Sequence, residues 1–326
     1  MNIIETENLT KTYRRFVKPE GLSGSIRSLW RREYEEKSAV RNFDFILEEG
    51  EFIGLIGPNG AGKTTLTKML TGIIAPTSGR ISVMGFYPND LKNEFKRQYA
   101  VVMGQKSQLF FELTTNDTMR LFKEIYEMDE KQFQETKAYF AELFDVKELM
   151  DVQVRTLSLG ERMKMMVALL HGPRVLFLDE PSIGLDAIAS NQIRKFLKQV
   201  NQEKGTSIIL TSHYMEDIST LCQRSVVIHH GCKVYDGKTE ELFAKYQKSK
   251  KITACFSKEL PGEISLPMAQ ILERTPHKLV FMVPREESGA ALAAVMPWNP
   301  ADISVEEDEI GTVVERIYQE GSRYEN

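Results

Sequence analysis

Short apolar runs mark the predicted core of this chain. They occupy residues 51–56, 175–178, 207–210 and 225–229. Runs of this length without alternation are typical of strands in a parallel sheet that is covered on both faces. Residues 2–9 and 40–47 instead alternate apolar and polar side chains, which is typical of antiparallel strands. The pattern therefore predicts an α/β fold, with a parallel sheet core and an antiparallel β subdomain.

Between these runs the spacing of apolar residues becomes helical, from about residue 106 to residue 172. The recurring positions are Leu121, Phe122, Ile125, Tyr126, Phe140, Leu143 and Phe144. Intervals of three and four residues predict a helical subdomain that precedes the strand at 175–178.

A second helical pattern lies in an extra segment at about residues 14–38. Its apolar positions are Leu22, Ile26, Leu29, Trp30 and Tyr34, and Arg27, Arg31 and Arg32 lie between them. This arrangement is typical of a short amphipathic helix with a basic face. Two interpretations stay open. The helix packs on its own domain with solvated arginines, or it contacts anionic lipid headgroups or a membrane protein.

The last part of the chain predicts a small accessory α/β domain. Strand-like segments at 252–256, 279–283 and 303–305 alternate with helical patterns at 287–296 and 309–319. We therefore place a first domain at 1–244 and the accessory domain at 245–326. The pattern does not distinguish a dimerising or regulatory domain from one that only adds stability.

Composition and charge narrow the class of protein. The 326 residues carry a formal charge of −4, with a pI near 5.9, which argues against a nucleic-acid-binding surface. Cys222, Cys232 and Cys255 lack the spacing of metal ligands and are interpreted as reduced thiols of a cytosolic protein. No apolar stretch has the length of a membrane-spanning helix, and the N-terminus does not resemble a signal peptide.

A glycine-rich motif directly follows the apolar run at 51–56. Its residues are Gly57, Pro58, Asn59, Gly60, Ala61, Gly62, Lys63, Thr64 and Thr65. A strand, this loop and a helical pattern together match the phosphate-binding loop of nucleotide-binding proteins, rather than a turn without a ligand. We expect Gly57, Gly60 and Gly62 to adopt positive φ and to approach phosphate oxygens. Lys63 is expected to bridge the β- and γ-phosphates of ATP, and Thr64 to be a ligand of Mg²⁺.

Two acidic residues end the apolar run at 175–178. Because ligands bind at the carboxyl ends of parallel strands, Asp179 and Glu180 are expected to face the same site as the glycine-rich loop. Asp179 would hold Mg²⁺ through water, and Glu180 would polarise the attacking water. The alternative is that these acids only cap a following helix.

Further motifs make the chain resemble the ATP-binding subunit of an ATP-binding-cassette (ABC) transporter. Residues 157–161 read LSLGE and resemble the signature motif of that family, and residues 182–186 resemble its D-loop. The resemblance covers roughly residues 1–245 and implies a P-loop ATPase. It also implies that Ser158 and Gly160 cap the γ-phosphate bound to a second copy, and that Asp186 belongs to the nucleotide site.

Three more residues take roles from the same resemblance. It implies that Tyr13 stacks on adenine, that Gln105 contacts magnesium or water, and that His213 senses the γ-phosphate. Each has a plainer interpretation: an edge aromatic, a surface amide and a histidine at a strand end. Ser158 could likewise be an ordinary N-cap that forms a capping box with Glu161, which is compatible with function.

The signature motif departs from the family pattern. The family usually has Gly-Gly-Gln where this chain has Leu159, Gly160 and Glu161. Gly160 is kept, so we expect ATPase activity, while Glu161 is expected to place a negative charge near the triphosphate. Residues 104–113 resemble the glutamine loop of bacterial cassettes that pair with separately encoded exporter-type membrane proteins.

The resemblance as a whole predicts a peripheral subunit at the cytoplasmic side of a bacterial membrane. Two copies would sandwich two ATP molecules head-to-tail and drive transmembrane permease subunits for export. An importer cassette and a soluble ABC ATPase that acts on a macromolecular assembly are the alternatives.

Overall fold

The computed structural model describes residues 1–16, 34–103, 109–168, 172–212, 214–260, 266–307, 313–314 and 316–317. The chain divides into two compact units, Met1–Asp236 and Gly237–Asn326. The boundary placed at 244/245 from the sequence falls inside the helix Thr239–Tyr246, which this division assigns to the second unit.

A three-stranded antiparallel sheet opens the first unit. Its strands are β1 (Asn2–Phe16), β2 (Tyr34–Glu48) and β4 (Ser78–Val83), in the order β2-β1-β4. Alternate residues of β2 are buried from Phe43 to Leu47, as the polar and apolar alternation predicts. Thr6 is buried in β1, where its hydroxyl donates to the Phe43 carbonyl at 2.7 Å.

The ends of the segment at 14–38 extend this antiparallel pair. Arg14 lies opposite Glu36, and Phe16 lies opposite Tyr34. The assignment of Tyr34 to a helix was therefore wrong, because cross-strand pairing with β1 overrides the local apolar spacing. The other residues of that predicted basic helix lie outside the described part of the chain.

A six-stranded sheet is the centre of the first unit. Its strands are β3 (Phe52–Ile56), β5 (Tyr99–Met103), β6 (Val175–Asp179), β7 (Ser207–Thr211), β8 (Arg224–His229) and β9 (Cys232–Lys238). Their order is β5-β6-β7-β3-β8-β9, and every adjacent pair from β5 to β8 is parallel. Every residue of β3 and β7 is buried, which confirms the inference from the continuous apolar runs.

The first unit also contains helices. They are α1 (Lys63–Leu70), α2 (Asn93–Lys96), α3 (Thr115–Ile125), α4 (Glu130–Leu143), α5 (Leu159–Ala168), α6 (Ala187–Lys204) and α7 (Met215–Leu221), with short 3₁₀ turns at Pro88–Asp90, Lys147–Leu149 and Val154–Thr156. The helices α3, α4 and α5 lie in the stretch that the apolar spacing predicts to be helical. Phe140 and Phe144 are buried against Phe196 of α6, with ring centroids 5.3 and 5.4 Å from it.

The second unit is built on a four-stranded antiparallel sheet. Its elements are α8 (Thr239–Tyr246), β10 (Ser249–Cys255), β11 (Gln270–Thr275), β12 (Lys278–Pro284), α9 (Ser288–Val295) and β13 (Asp302–Glu307), with 3₁₀ turns at Arg285–Glu287 and Met296–Trp298. The sheet order is β11-β12-β10-β13. Ile252, Leu279 and Phe281 form its core with Ala291 and Val295 of α9.

Sequence reasoning missed β11, because all of its residues are exposed and they do not alternate in polarity. The helical pattern at 309–319 falls largely outside the described residues. Cys222, Cys232 and Cys255 are free thiols, as predicted. Within the described part of the chain, every helix is too short or too polar to cross a bilayer.

We expect Phe196→Ala to lower the free energy of unfolding of the first unit by about 3–5 kcal/mol, because it leaves a cavity beside Phe140 and Phe144. Denaturant titration followed by circular dichroism measures this change. Ile188→Ala, at a 75% exposed position of the same helix, is the matched control and should change the value by less than about 0.5 kcal/mol. Equal effects of the two substitutions would contradict the assignment of Phe196 to the core.

Candidate nucleotide-binding site

The glycine-rich loop connects β3 to α1 at the carboxyl edge of the parallel sheet. It leaves β3 after Ile56, and α1 begins at Lys63. The N-cap residue Gly62 has φ 117° and offers no side chain, so the first backbone N–H groups of α1 stay open to an external acceptor. A helix N-terminus of this kind favours an anion such as phosphate.

Two of the three loop glycines behave as predicted. Gly60 and Gly62 have φ of 79° and 117°, in the region that favours glycine. Gly57 is not among the positive-φ glycines, so that expectation was wrong for it. Position 57 requires glycine for a steric reason instead, because a Cβ there would lie 2.3 Å from the Ile228 carbonyl oxygen. A Cβ on Gly62 would meet the Ala39 carbonyl oxygen at the same distance.

Lys63 turns its side chain back into the loop. Its Nζ donates to the carbonyl oxygens of Gly57 at 2.5 Å and of Pro58 at 3.1 Å. Burial lowers the pKa of the Lys63 ammonium, and the carboxylates of Glu180 and Asp179 offset part of this effect. To contact a phosphate, Lys63 must exchange its two carbonyl partners for phosphate oxygens. The ammonium of Lys63 therefore already lies in the loop that is expected to bind the negatively charged phosphates.

Asp179 joins the loop to the neighbouring strand. Its Oδ1 accepts a hydrogen bond from the Thr211 hydroxyl at 2.6 Å, and its Oδ2 accepts one from the Thr64 hydroxyl at 3.3 Å. The parallel register places Asp179 beside Met103 on one side and Thr211 on the other. These hydroxyl and carboxylate oxygens are of the kind that Mg²⁺ prefers, so the residues present fit this ion.

Glu180 has a strained backbone. Its φ is 54°, a value rare for a residue with a side chain, and such strain costs about 1–3 kcal/mol. Its N–H donates to the Thr211 carbonyl at 3.0 Å and also lies 3.2 Å from the Thr211 hydroxyl. Neither acid caps a helix, since α6 begins only at Ala187 and is capped by Asp186 through a 2.7 Å bond from the Ala189 N–H. The helix-cap alternative for Asp179 and Glu180 is therefore wrong.

The loop and the acidic pair border one cavity of about 430 Å³. Its lining comprises Ala39, Asn59, Gly60, Ala61, Gly62, Lys63, Thr64, Thr65, Lys68, Met103, Asp179 and Glu180. Sequence reasoning missed Ala39, Lys68 and Met103. The sequence could have indicated Lys68 as a cavity residue, because it lies four residues after Thr64 and thus on the same face of the helix. Ala39 and Met103 reach the cavity only through strand pairing, which leaves no local signal.

Other predicted site residues lie elsewhere in the described part of the chain. Tyr13 is 42% exposed on β1, where Lys11 Nζ lies 5.4 Å from its ring centroid, and Asp186 and Gly160 are not part of the cavity lining. Gln105 and His213 lie outside the described residues, so their roles stay predictions.

Ser158 and Glu161 form the predicted capping box. The Ser158 N–H donates to Glu161 Oε2 at 2.7 Å, and the Glu161 N–H lies 3.3 Å from the Ser158 hydroxyl oxygen. The Ser158 backbone N–H, and then its side chain, lower the pKa of the Glu161 carboxyl. The charge of Glu161 is therefore directed at the start of α5, where an N-terminal helix dipole favours it.

Comparison with known proteins identifies the family. The ABC transporter family matches residues 40–183. NatA, an ABC transporter ATP-binding protein of Bacillus subtilis, is 31% identical over 240 residues, which are 72% of this chain and 97% of NatA. The Nod factor export ATP-binding protein I of a Rhizobium species is 32% identical over 66% of this chain and 71% of its own length.

A solved structure with the same fold is a dimeric ATP-binding cassette in a post-hydrolysis state, bound to ADP and Pi. It aligns with a TM-score of 0.60 at 22% identity, over 72% of this chain and 98% of that chain. The fold and the phosphate loop thus define a P-loop ATPase of the ABC cassette type. The chain belongs to the ABC transporter family, as the ATP-binding subunit that supplies ATP hydrolysis.

We expect Gly62→Ala to weaken ATP binding by at least ~10-fold, because its Cβ would collide with the Ala39 carbonyl and displace the loop. Isothermal titration calorimetry with ATP measures the affinity. Gly85→Ala is the matched control, since Gly85 also has positive φ, a Cβ there meets no described atom within 4 Å, and Gly85 does not line the cavity. It should lower the free energy of unfolding by about 1–2 kcal/mol through backbone strain and leave the ATP affinity unchanged. Equal loss of ATP affinity in the two variants would contradict the steric argument.

Proposed function

We propose that this subunit hydrolyses ATP with Mg²⁺ in the cavity between the phosphate loop and the pair Asp179 and Glu180. One observation carries the proposal: the Thr64 hydroxyl, the Asp179 carboxylate and the Thr211 hydroxyl form a connected set beside the cavity that Lys63 lines. Phosphoryl transfer to water requires a cation, oxygen ligands for a metal ion and a carboxylate that orients the water. Lys63 is the cation, Thr64 and Asp179 offer the oxygen ligands, and Glu180 is the second carboxylate.

The phosphates bind along the loop and the N-terminus of α1. The residues proposed to contact them are Gly57, Pro58, Asn59, Gly60, Ala61, Gly62, Lys63, Thr64 and Thr65. Backbone N–H groups of the loop receive phosphate oxygens, and Lys63 moves from its carbonyl partners to the β- and γ-phosphates. Tyr13 stacks on adenine, which its exposed ring on β1 supports.

Thr64 and Asp179 hold Mg²⁺, directly or through water, and we assign Gln105 as a further oxygen donor. When bound, Mg²⁺ would neutralise the negative charge that develops on the phosphate oxygens. Glu180 orients and polarises the attacking water. His213 contacts the γ-phosphate as the third catalytic residue, with Lys63 and Glu180.

A second copy of the cassette completes each site with Ser158, Gly160 and Asp186. Gly160 supports this assignment, because a Cβ there would meet only ordinary contacts, with Ala189 at 3.7 Å and Leu185 at 4.0 Å. Packing among the described residues of one copy therefore gives no reason for glycine, whereas close approach of a bound nucleotide does. Two complementary halves per site are supplied by a head-to-tail pair of cassettes, which we assign to a homodimer with two-fold symmetry.

The dimer drives separately encoded transmembrane subunits, and the direction of transport is export. The similarity to a Nod factor export ATP-binding protein supports this direction. On the helical part of the first unit, Phe110, Phe111, Leu121 and Ile125 are exposed and offer apolar surface to a membrane partner. The subunit would then lie at the cytoplasmic face of a bacterial membrane.

We expect Glu180→Gln to reduce ATP turnover by at least ~100-fold, because the amide cannot accept a proton from the attacking water. The phosphate release rate measures turnover, and ATP affinity should change little. Glu203→Gln, the same chemical change at an exposed position near the end of α6, is the control and should retain wild-type turnover. Unchanged hydrolysis in Glu180→Gln would overturn the assigned mechanism.

Purification of the tagged chain from its own cells in mild detergent tests the transport role. We expect polytopic membrane proteins in stoichiometric amounts, because the subunit needs partners to form the pathway. Recovery only with ribosomes or DNA-processing factors would leave the ATPase standing and would contradict the transporter assignment.

A further inference from the structure

A buried carboxylate outside the cavity contacts two segments that lead into the candidate site. Asp217, on α7, is only 2% exposed. Its Oδ2 accepts hydrogen bonds from the hydroxyls of Ser182 and, at 2.9 Å, of Ser212, and its Oδ1 accepts one from Arg194 Nη1 at 2.9 Å. Three donors, one of them cationic, satisfy a carboxylate that burial alone would strongly destabilise.

The first contacted segment is the turn after Glu180. Ser182 follows Glu180 by two residues, and this turn is closed by the Ile183 N–H, which donates to the Glu180 carbonyl at 3.2 Å. Ser182 is itself buried, so its hydroxyl bond to Asp217 is protected from water. The backbone of Glu180 is thereby connected to Asp217 through a single short turn.

The second contacted segment is the end of β7. Ser212 directly follows Thr211, which accepts the Glu180 N–H and donates its hydroxyl to Asp179 at 2.6 Å. The Ser212 hydroxyl also accepts the Tyr214 N–H at 3.0 Å, which ties down the chain beyond the strand. Asp217 thus closes a ring of hydrogen bonds and chain segments that passes through Thr211 and the backbone of Glu180, and the Thr211 hydroxyl extends it to the Asp179 carboxylate.

We propose that Asp217 is a positioning residue for ATP hydrolysis, which holds Asp179 and Glu180 in place by joining the turn after Glu180 to the end of β7. The proposal rests on the roles assigned above to these two carboxylates. Glu180 has φ 54°, and surrounding contacts must hold a residue in this region. An apolar side chain at position 217 would make no directional bond to either segment.

Steady-state kinetics of Asp217→Asn test the inference. The amide keeps the shape of the side chain but removes the charge and one acceptor, so the two segments lose part of their common anchor. We expect kcat to fall by ~10-fold or more, since small displacements at a reacting centre are costly. KM for ATP should stay within about 2-fold, because the phosphate loop does not contact Asp217.

Asp236→Asn is the matched control. Asp236 also pairs with an arginine, Arg224, at 2.7 Å, and with Lys233 at 2.9 Å, and none of these three residues lines the cavity. We expect its kcat to match the wild type. A kcat of Asp217→Asn within about 2-fold of the wild type, while Glu180→Gln is inactive, would overturn the inference and leave the proposed function intact. Absence of hydrolysis in the wild type would instead remove the proposed function.

Two milder variants keep the test decisive if Asp217→Asn does not fold. Ser182→Ala and Ser212→Ala each remove one hydroxyl of the ring and should each lower kcat at unchanged KM. Their double variant should show less than the product of the two single effects, because both act through one carboxylate. If the two single effects on kcat multiply in the double variant, the hydroxyls do not act through one carboxylate and the inference is wrong. If kcat falls only in proportion to the loss of folded protein, Asp217 serves only the packing of α7.

Discussion

The candidate site depends on the shared carboxyl edge of the strands β3, β6 and β7. The apolar residues of these strands are buried on both faces of the sheet. The polar residues therefore lie at the carboxyl ends of the strands. The register places Asp179 beside Thr211, and α1 brings Thr64 to the other oxygen of the same carboxylate. A slip of one residue in β6 would turn Asp179 to the opposite face and separate these groups.

The site combines several locally unfavourable features that the surrounding packing holds in place. Lys63 is buried, Glu180 has a left-handed backbone, and Gly62 lies against the Ala39 carbonyl. The carbonyl oxygens of Gly57 and Pro58 hold the ammonium of Lys63, so under the proposed function phosphate oxygens would replace these partners in a loop that is already formed. Such preorganisation is the main source of electrostatic stabilisation in phosphoryl transfer.

Local patterns predicted those parts of the protein that local sequence determines. The apolar runs gave the parallel strands, the glycine-rich motif gave the phosphate loop, and the spacing of Ser158 and Glu161 gave the capping box. The exposed strand β11 was missed because it carries no polarity pattern. Tyr34 was misassigned because strand pairing with Phe16 outweighs local spacing.

Local sequence patterns could not predict contacts between segments that are distant along the chain. Ala39 and Met103 reach the cavity, and Asp217 reaches Ser182, only because the fold brings separate segments together. The steric need for Gly57 likewise depends on Ile228, which is remote in sequence. No spacing rule within one segment reveals such pairs, whereas each becomes evident once the sheet order is known.

The central claim is that a second copy completes the nucleotide site through Gly160. Analytical ultracentrifugation of Glu180→Gln with ATP and Mg²⁺ tests it most directly, with and without the added substitution Gly160→Leu. We expect an ATP-dependent dimer for Glu180→Gln and a monomer for the double variant, because the leucine side chain would block the close approach of the nucleotide. A dimer that persists in the double variant, or that forms without ATP, would contradict it.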